Sequence, residues 1–438
     1  MMLLPDYVRW CIDALEKQGF SCYAVGGCVR DAFLGLTPHD YDLCTDALPD
    51  QIREAFDGHP LVLAGEKHGT VGVVTDGGVV EITTFRTEGN YADSRHPGWV
   101  EFVKTVDGDL SRRDFTVNAM AWSPKHGLAD PYGGQNDLQG RILRAVGNPD
   151  ERFTEDALRI LRGMRFAVRY QLDIENSTLQ AMYSHAPLLE NIARERIFEE
   201  LCKLLPLATA EDLLRFAPIL SHVIPELAPT MGFEQHSHHH TYDVFTHTAH
   251  VTAAAPADLS LRWAALLHDI GKVSTFTIDD QGEGHFYGHA ETSAQMAAEI
   301  LRRLKASNAL REDVVFLIAH HMHPLEPERK QLRRKLSKWG ATRLKKLLAL
   351  QEADFNSKGV TGTSFPFDEI SEIVEELIAE DSCLTLRDLA INGHDLMAMG
   401  LSGNAIGQCL NDLLSNVIEE ELPNEKAALL AAVRRIKI

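Results

Sequence analysis

Two aspartates separated by one residue, Asp40 and Asp42, form a compact acidic pair near the start of the chain. The segment Asp40-Tyr41-Asp42-Leu43 has the pattern of a short strand, and side chains two apart on a strand point to the same side. Two neighbouring carboxylates repel each other unless a cation lies between them, and Mg²⁺ prefers hard oxygen ligands. The spacing therefore predicts a Mg²⁺ site and assigns both aspartates a catalytic role.

A glycine turn precedes this acidic pair. Residues 23–25 predict a short buried strand, Gly26-Gly27 permits a tight turn, and a helix is expected over residues 28–34. The free N–H groups and the dipole at a helix start favour an anion such as a triphosphate. Gly27 and Arg30 are therefore candidate phosphate-binding residues. Either fragment alone is typical of an ordinary turn or strand end, but together they favour nucleotidyl transfer.

Residues 23–45 resemble the DNA polymerase β nucleotidyltransferase superfamily. Within it, the resemblance is to the class II tRNA nucleotidyltransferase (CCA-adding enzyme) and bacterial poly(A) polymerase family. The resemblance implies template-independent addition of CCA to tRNA 3′ ends, with Mg²⁺ as cofactor and with tRNA, CTP and ATP as partners. Glu81, in a later β-rich run, is either a third carboxylate of the site or a surface-facing strand residue.

A second motif, S-R-R-D-F-T-V-N-A at residues 111–119, resembles the family's R-R-D-[FL]-T-[IV]-N-A pattern. Arginine binds phosphate oxygens in a forked geometry, so Arg112 and Arg113 are candidate nucleotide-binding residues. A charged helix end is the plain alternative. Residues 87–110 resemble the flexible loop that the family uses to add the terminal A. The intact length of this loop weighs against an enzyme that adds only C.

A third motif, T-E-D-A-L-R-I-L-R-G-M-R at residues 154–165, predicts a helix capped by Thr154. Asp156, Arg159, Arg162 and Arg165 then recur every three residues along one face, as in a salt-bridged solvated surface or a binding site. Their resemblance to the family's E-D-x-x-R motif implies nucleotide binding by all four. The motif's Asp and Arg read the incoming base, and Arg162 and Arg165 face the triphosphate.

The hydrogen-bonding groups of the motif's Asp156 and Arg159 agree with CTP and ATP as substrates. Cytosine and adenine each present an amine donor beside a ring-nitrogen acceptor, which an Asp acceptor and an Arg donor complement. Guanine and uracil present the inverse pattern. A buried mismatch costs about 1–3 kcal/mol per unpaired group.

The second half of the chain carries a different set of chemically reactive residues. The order H…HD…H…HH…D and the segment W-A-A-L-L-H-D-I-G-K resemble the HD superfamily of metal-dependent phosphohydrolases. Imidazole and carboxylate together suit a divalent transition metal or Mg²⁺, and the additional histidines permit a second metal. The candidate metal ligands are His247, His268, Asp269, His289, His321 and Asp354.

The composition sets limits on compartment and partners. With 438 residues, 45% apolar residues and 24% charged residues, several soluble domains are expected. The seven cysteines form no C-x-x-C, and we see no signal peptide or apolar run long enough for a bilayer, so a cytoplasmic protein without membrane contact is expected. The net charge of −20 excludes indiscriminate nucleic-acid binding but not a local RNA site. Residues 329–346 carry nine basic residues and no acid, as in a solvated face or an RNA-backbone patch.

We therefore predict an α+β protein in which a small polymerase-β-like sheet domain precedes an elongated all-α neck, an HD domain and a helical tail. The predicted boundaries are 1–148 for the nucleotidyltransferase head, 149–228 for the neck with the base-selecting motif and tRNA contacts, 229–360 for the HD domain, and 361–438 for the tail. Four alternatives to CCA addition stay open: an A-only-adding enzyme, a poly(A) polymerase, an HD phosphohydrolase with a degenerate head, and a non-catalytic RNA-binding protein. The oligomeric state is not predicted.

Overall fold

The computed structural model describes residues 2–89, 99–236, 241–359, 364–380 and 383–436. These residues form two compact units. The first comprises Met1–Ala208 with Arg215–Ala228, and the second comprises Thr209–Leu214 with Pro229–Ile438. A sheet lies in the first unit, while helices dominate the second. This arrangement confirms the α+β class. The finer division into four domains stays a prediction.

The first unit is built on a seven-stranded sheet. Its strand order is β3-β4-β5-β2-β1-β8-β9, so the first two strands of the sequence lie inside the sheet. Every residue of β1 is buried, which explains its continuous apolar sequence. The strands of this unit are β1 (Cys22–Val25), β2 (Asp42–Thr45), β3 (Leu61–Val62), β4 (Thr70–Thr75), β5 (Gly78–Thr84), β6 (Arg86–Gly89), β7 (Trp99–Phe102), β8 (Ala121–Ser123), β9 (Gly127–Ala129), β10 (Ile142–Leu143) and β11 (Asp173–Ile174).

The strand predicted over residues 40–43 begins two residues later. Asp42 is the first residue of β2 and pairs with Val25, the last residue of β1. The chain turns at Gly26 after Val25, so Asp40 has no partner on β1. Asp40 therefore lies just before the strand, and the prediction that it belongs to the strand was wrong.

The helices of the first unit pack apolar faces on the sheet and on each other. In α1 the buried residues Val8, Cys11, Ile12 and Leu15 recur at helical spacing. The helices are α1 (Asp6–Lys17), α2 (Gly27–Phe33), α3 (Pro49–Ala55), α4 (Val106–Ser111), α5 (Gly134–Gln139), α6 (Pro149–Glu155), α7 (Leu158–Tyr170), α8 (Asn176–His185) and α9 (Arg194–Leu204). A tenth helix, α10 (Ala210–Val223), contributes residues to both units.

The third motif does not begin a helix at Thr154, so that prediction was wrong. The helix α6 begins at Pro149, where the side chain of Asn148 accepts a hydrogen bond from the backbone N–H of Asp150. Proline at the first helical position and asparagine before it are a favoured helix start. Asp156 ends α6 in an extended conformation, with φ −145° and ψ 100°, and α7 begins at Leu158. Asp156 and Arg159 thus flank a joint between two helices.

The second unit is a helical assembly with one small two-stranded sheet, β12 (Thr277–Ile278) and β13 (Gly284–His285). The buried surfaces of α12, α14, α15 and α17 provide most of its core around Trp263. Its helices are α11 (Val244–Ala254), α12 (Leu259–Leu267), α13 (Lys272–Thr275), α14 (His289–Arg303), α15 (Asn308–His320), α16 (Arg329–Trp339), α17 (Ala341–Asn356), α18 (Phe367–Ala379), α19 (Gly393–Ala398), α20 (Asn404–Ile418) and α21 (Lys426–Ile436).

The basic residues of α16 are paired with acids of later helices. Arg329 contacts Glu376 and Glu380 near the end of α18. Arg334 contacts Glu419 immediately after α20, where Lys330 also reaches within 2.8 Å. Several basic residues of this stretch therefore form ion pairs with acids of the same unit, while their side chains stay partly exposed.

None of the described helices combines the length and apolar character that crossing a membrane requires. All seven cysteines are free thiols. The part of the flexible-loop prediction that falls on residues 90–98 lies outside the described residues. Its flanks form the β6–β7 pair, followed by α4.

Candidate active site and candidate metal centre

A cleft of about 660 Å³ in the first unit collects most of the predicted nucleotide-binding residues. It is lined by residues of the glycine turn, the second motif and the third motif, although these are far apart in the sequence. Asp40 and Arg165 are not among the lining residues. The predicted residues that line the cleft are Gly27, Arg30, Asp42, Arg112, Arg113, Asp156, Arg159 and Arg162.

Three carboxylates lie close together at β2 and β5, two inner strands of the sheet, and one of them, Asp42, lines this cleft. Asp42 on β2 pairs in register with Glu81 on the parallel strand β5, and Asp40 precedes Asp42 by two residues. Burial raises the pKa of Asp42, the charges of Glu81 and Asp40 raise it further, and Arg113 opposes them. A divalent cation would relieve this repulsion, and the donor set is all oxygen, so these residues fit Mg²⁺.

The glycine turn places backbone close to an arginine of the second motif. Gly26 has a φ of +75°, and a Cβ built there would lie 2.8 Å from Nη1 of Arg113. The positive φ does not suit another residue, and a Cβ there would require the Arg113 guanidinium to move. The turn therefore holds α2 and the Arg113 guanidinium side by side at the cleft.

Asp109 anchors both arginines of the second motif. The distances from its carboxylate are 2.9 Å to Arg112 Nη2 and 3.2 Å to Arg113 Nη2. Burial alone would raise the pKa of Asp109, but the charges and hydrogen bonds of the two arginines outweigh burial and lower it. A fully buried carboxylate thus fixes two guanidinium groups, and both of these arginines line the cleft.

Arg30 is oriented by contacts with three elements. Its guanidinium donates to Asp31, to Oδ1 of Asn118 in the second motif, and to the hydroxyl of Tyr170 at the end of α7. It also stacks over the Tyr170 ring at 4.3 Å. The prediction for Arg30 came from its helix alone, whereas the structure connects it to Asn118 of the second motif and to Tyr170 of α7.

The proposed base-reading pair has separate partners. Oδ2 of Asp156 accepts from Arg196 at 2.8 Å, and its Oδ1 accepts from the backbone N–H of Leu158. Arg159 donates to Glu155 at 2.7 Å and to the backbone carbonyl of Arg112 at 2.9 Å. An acceptor and a donor therefore lie at the same cleft, each oriented by a neighbour.

The last two arginines of the third motif, Arg162 and Arg165, have different partners. Arg162 forms an ion pair of 2.7 Å with Asp114 and lines the cleft. Arg165 is buried instead against Glu200 of α9, with 2.6 Å between Arg165 Nε and Glu200 Oε2. The structure therefore brings Arg162, but not Arg165, to the nucleotide cleft.

Asp114 is a strongly perturbed acid. Burial would raise its pKa, but the charge of Arg162 and a hydrogen bond from Asn118 lower it to about 2. Sequence reasoning missed the positioning roles of Asp109, Asp114 and Arg196. The first two have a local signal, since both lie within five residues of the arginine pair. Arg196 lies 40 residues from Asp156, and no spacing rule connects them.

The second unit brings all six candidate metal ligands together. They come from α11, the end of α12, α14, the end of α15, and α17, so five helices are needed to form the cluster. Two groups of ligand atoms each lie within 4.8 Å of one another. One comprises His247, His268 and Asp354, and the other comprises Asp269, His289 and His321.

Backbone carbonyls fix the orientation of the imidazole rings. Nδ1 of His268 lies 2.8 Å from the carbonyl of Ala265, and Nδ1 of His321 lies 2.7 Å from that of Ile318. His289 has the same contact with Phe286 at 2.8 Å. A carbonyl can only accept, so each Nδ1 carries the hydrogen and a neutral ring presents the lone pair of Nε2. Metal-binding histidines have this arrangement in proteins.

The carboxylates of the cluster are held in their ionised form. Burial would raise the pKa of Asp269, but the charges of His268 and Lys272 lower it well below the usual range. The hydrogen bond from His247, 2.9 Å from Oδ1 of Asp354, lowers the pKa of that acid against the effect of burial. Burial lowers the pKa of His321 to about 4, so this ring is neutral near pH 7. Ionised carboxylates and neutral imidazoles are the forms that bind metal.

Family models match three segments of the chain. A family model described as "Poly A polymerase head domain" matches residues 22–144. A second, "Probable RNA and SrmB-binding site of polymerase A", matches residues 171–231. A third model, for domain 2 of tRNA nucleotidyltransferases, matches residues 285–433. Together the fold and the cleft define a nucleotidyltransferase head joined to helical regions.

Full-length similarity narrows this class. The chain is 35% identical over 437 residues to a CCA-adding enzyme of Streptococcus mutans, covering 99% of this chain and 98% of that protein. The chain therefore belongs to the CCA-adding enzyme family, and is a nucleotidyltransferase.

Solved structures agree with this assignment. The structure of the Bacillus stearothermophilus CCA-adding enzyme in complex with CTP matches with a TM-score of 0.75 and 27% identity, covering 99% of both chains. A Thermotoga maritima CCA-adding enzyme complexed with tRNA matches with a TM-score of 0.61 and 21% identity, over 99% of this chain and 97% of that one. The second likeness is one of fold.

Proposed function

We propose that this chain adds C, C and A to the 3′ end of tRNA from CTP and ATP, without a nucleic-acid template. The observation that carries the proposal is the single cleft in which Asp42, the arginines of two motifs and the Asp156–Arg159 pair meet. Membership of the CCA-adding enzyme family supports the same reaction. The nearest alternatives are an A-only-adding enzyme and a poly(A) polymerase.

In this reaction the 3′-hydroxyl oxygen of the RNA forms a bond to the α-phosphorus of the nucleotide. The bond from that phosphorus to the bridging oxygen of the β-phosphate breaks, the hydroxyl proton is lost to solvent, and pyrophosphate leaves. Asp40 and Asp42 would hold Mg²⁺, which when bound supplies positive charge to the attacking and leaving oxygens. Asp40 precedes the strand and can approach from the loop. Glu81, opposite Asp42, is the candidate third carboxylate.

The triphosphate is held by the positive wall of the cleft. Arg113 and Arg112 share the buried Asp109, and Arg30 is fixed by Asn118 and Tyr170. Gly27 offers backbone N–H at the start of α2. Positioning and charge stabilisation suffice for phosphoryl-type transfer, so no covalent enzyme intermediate is required.

The base is selected by Asp156 and Arg159, an acceptor and a donor oriented by Arg196 and Glu155. Arg162, held by Asp114, extends the positive wall toward the phosphates. Arg165 contributes indirectly, because its ion pair with Glu200 joins α7 to α9.

The proposed boundaries of 1–148, 149–228, 229–360 and 361–438 assign nucleotide chemistry to the first two regions. Free cysteines and the use of tRNA support a cytoplasmic location.

A second candidate activity is favoured by the histidine–aspartate cluster. Its six residues offer nitrogen and oxygen ligands that fit a divalent transition metal or Mg²⁺. His268, His289 and His321 each have Nδ1 against a backbone carbonyl, which leaves Nε2 as the ligand atom, and Asp269 is ionised. The corresponding reaction is hydrolysis of a phosphate ester. The oxygen of a water molecule forms a bond to phosphorus, the ester P–O bond breaks, and the departing oxygen takes up one proton of that water.

The proposal for tRNA is tested with three transcripts, ending at the discriminator base, at –C and at –CC. Each nucleoside triphosphate is supplied singly, and then CTP with ATP, to the wild type and to an Asp40→Ala/Asp42→Ala variant. Three added nucleotides that require both CTP and ATP, absent in the variant, are expected. Addition to the –CC transcript alone indicates an A-adding enzyme, a long ATP-only tail indicates a poly(A) polymerase, and no addition from any substrate refutes the transferase.

A further inference from the structure

Two arginines of the nucleotide cleft, Arg30 of α2 and Arg162 of α7, are connected through side chains of the second motif. Nη1 of Arg30 donates to Oδ1 of Asn118 at 2.5 Å, and Nδ2 of Asn118 donates to Oδ1 of Asp114 at 3.0 Å. Oδ2 of Asp114 accepts from Nε of Arg162 at 2.8 Å. A chain of three hydrogen bonds therefore joins two guanidinium groups that lie far apart in the sequence.

An aromatic ring joins the same two arginines. The guanidinium carbons of Arg30 and Arg162 each lie 5.3 Å from the centre of the Phe166 ring. Phe166 is buried, and it lines the cleft beside both arginines. A guanidinium within about 6 Å of a ring centre is attracted by the negative face of the ring. The ring of Phe166 thus attracts two cations that would otherwise only repel each other.

Tyr170, one turn after Phe166 on α7, contacts Arg30 in two ways. Its ring centre lies 4.3 Å from the guanidinium carbon of Arg30, and its hydroxyl accepts a hydrogen bond of 2.5 Å from Nη2. The rings of Phe166 and Tyr170 are stacked, with centres 6.2 Å apart and an angle of 28° between their planes. Residues four apart share one face of a helix, so this face of α7 presents Arg162, Phe166 and Tyr170 in succession.

We infer that Phe166 and Tyr170, the aromatic pair of α7, are positioning residues for triphosphate binding, and that they act by setting the separation and orientation of Arg30 and Arg162. The inference rests on the proposed nucleotide addition and assigns two further residues to it. Arginine binds phosphate oxygens through parallel N–H groups in one plane. Contacts that fix the guanidinium planes therefore contribute to binding even though they do not reach the nucleotide.

Aromatic contacts and acidic contacts differ in their effect on charge. Asp114 forms an ion pair of 2.7 Å with Arg162 and offsets part of its positive charge. The rings of Phe166 and Tyr170 carry no net charge, so they orient the guanidinium groups without competing with a phosphate. Burial raises the pKa of Tyr170, which keeps its phenol neutral near pH 7. The aromatic pair thus fixes geometry and leaves the charge of the arginines to the ligand.

The base-reading residues depend on other contacts. Asp156 accepts a hydrogen bond of 2.8 Å from Arg196 of α9. Arg159 donates to Glu155, the last residue of α6, at 2.7 Å. Changes to the aromatic pair are therefore expected to weaken binding of the phosphate groups of every nucleotide equally. The preference for one base over another should stay the same.

Equilibrium binding of CTP and of inorganic pyrophosphate, both with Mg²⁺, tests this assignment independently of turnover. Pyrophosphate has phosphate groups but no base. In Tyr170→Leu we expect the Kd of both ligands to rise at least about tenfold, because a ring contact and a hydrogen bond are lost. Tyr170→Phe keeps the ring, so a smaller rise of about 2- to 10-fold is expected. Phe166→Leu should raise both Kd values about 3- to 30-fold.

The ratio of kcat/KM for CTP to that for UTP provides the second readout, and it should stay within about twofold of wild type in all three variants. Tyr183 offers a matched control, because its hydroxyl also donates to a distant partner, the backbone carbonyl of Arg215 at 2.7 Å. Tyr183→Phe should leave the Kd of CTP and of pyrophosphate unchanged.

A double-mutant cycle separates positioning from a direct role. In an Arg30→Ala background, Tyr170→Leu should change the Kd of pyrophosphate by less than about twofold, since the residue that Tyr170 positions is already absent. A side chain that contacted the phosphate itself, or that only stabilised the fold, would have the same effect in both backgrounds.

Each outcome decides a different claim. Unchanged Kd values in Tyr170→Leu overturn the inference and leave the proposed nucleotide addition in place. A full additional loss in the Arg30→Ala background, or a CTP preference that falls with the affinity, also contradicts the inference. If circular dichroism shows that Tyr170→Leu is unfolded, Tyr170→Phe decides in its place. A wild-type protein that binds neither CTP nor pyrophosphate overturns both the inference and the proposed function.

Discussion

The nucleotide cleft and the histidine–aspartate centre are organised in opposite ways. In the cleft, guanidinium groups predominate, and the described contacts give each of Arg30, Arg112 and Arg162 a carboxylate partner. In the centre, nitrogen and carboxylate oxygen atoms of histidine and aspartate converge, and within the described ranges Nε2 of His268 and Oδ2 of Asp269 lack a hydrogen bond. The first site is prepared for an anion that shares arginines with existing acids. The second is prepared for a cation that would take the place of existing contacts, such as those of Lys272 with Asp269 and of His247 with Asp354. Two chemistries in one chain thus leave distinguishable electrostatic patterns.

The largest expected difference between the two regions follows from a substitution in the acidic pair of the first unit, measured as the rate of nucleotide addition. Asp42→Ala is expected to lower nucleotide addition by about 10³-fold or more, because the site loses a metal-binding carboxylate beside the arginine wall. Metal bound in the second unit should be unchanged. Single-turnover addition to a –CC transcript measures the first quantity, and metal content after gel filtration the second. If the rate of nucleotide addition by this variant stays within tenfold of wild type, Asp42 is not a catalytic residue.

The converse experiment uses Asp354 of α17. Asp354→Ala removes a ligand and leaves Nε2 of His247 without its 2.9 Å contact to that carboxylate. We expect phosphate-ester hydrolysis by the second unit to fall at least about 10²-fold while CCA addition stays within twofold of wild type. A chromogenic phosphate diester and the transcript assay report the two activities. A parallel loss of CCA addition would mean that the two regions depend on each other.

A substitution in the proposed base-reading pair is expected to have a smaller effect than the two substitutions above. In Asp156→Asn the side chain acquires a donor, so the donor–acceptor pattern at the base is partly inverted. We expect the preference for CTP over UTP, measured as a ratio of kcat/KM, to fall about 5- to 150-fold, the equivalent of 1–3 kcal/mol. Arg196→Lys, which keeps a cation but loses the guanidinium Nη2 that donates to Oδ2 of Asp156, should produce a smaller loss in the same direction. An unchanged ratio in Asp156→Asn would show that other residues read the base.

The smallest expected effect concerns stability. Asp114 has a pKa of about 2 in the folded protein, lower than the value of about 3.9 in an unfolded chain. Its ion pair with Arg162 therefore stabilises the fold above about pH 4, and this stabilisation is lost as the pH falls toward 2. Asp114→Asn should lower the free energy of unfolding by about 2 kcal/mol at pH 7 and by much less near pH 2.5. Urea unfolding at the two pH values measures this, and an equal loss at both would contradict the assigned cause.

Local motifs predicted the residue types of both sites well. The Gly26-Gly27 turn, the Arg112-Arg113 pair and the histidine–aspartate series each depend on short spacings, and the structure brings nearly all of their residues to two places. Their chemical roles stay proposals. The α+β class was also predictable, since all strands of the seven-stranded sheet lie between Cys22 and Ala129.

Element boundaries and long-range partners were harder to predict. The third motif was interpreted as one helix because Thr154 is a good cap, but Asn148 and Pro149 provide a better start six residues earlier. This shift places Asp156 at a joint between two helices. Arg165, further along α7, pairs with Glu200 and does not line the cleft. The Asp156–Arg196 and Arg165–Glu200 contacts span 40 and 35 residues, and only tertiary packing determines such pairs.

The ion pairs of α16 determine how RNA binding at this helix should depend on salt concentration. RNA usually gains free energy from the release of condensed counterions when lysines and arginines neutralise its phosphates. On α16, Arg329, Arg333 and Arg334 already contact carboxylates of the tail. An RNA strand placed there would displace these attached acids, which cannot diffuse away as released ions do. Affinity for RNA at this helix should therefore depend only weakly on salt concentration, even though its sequence is the most basic in the chain.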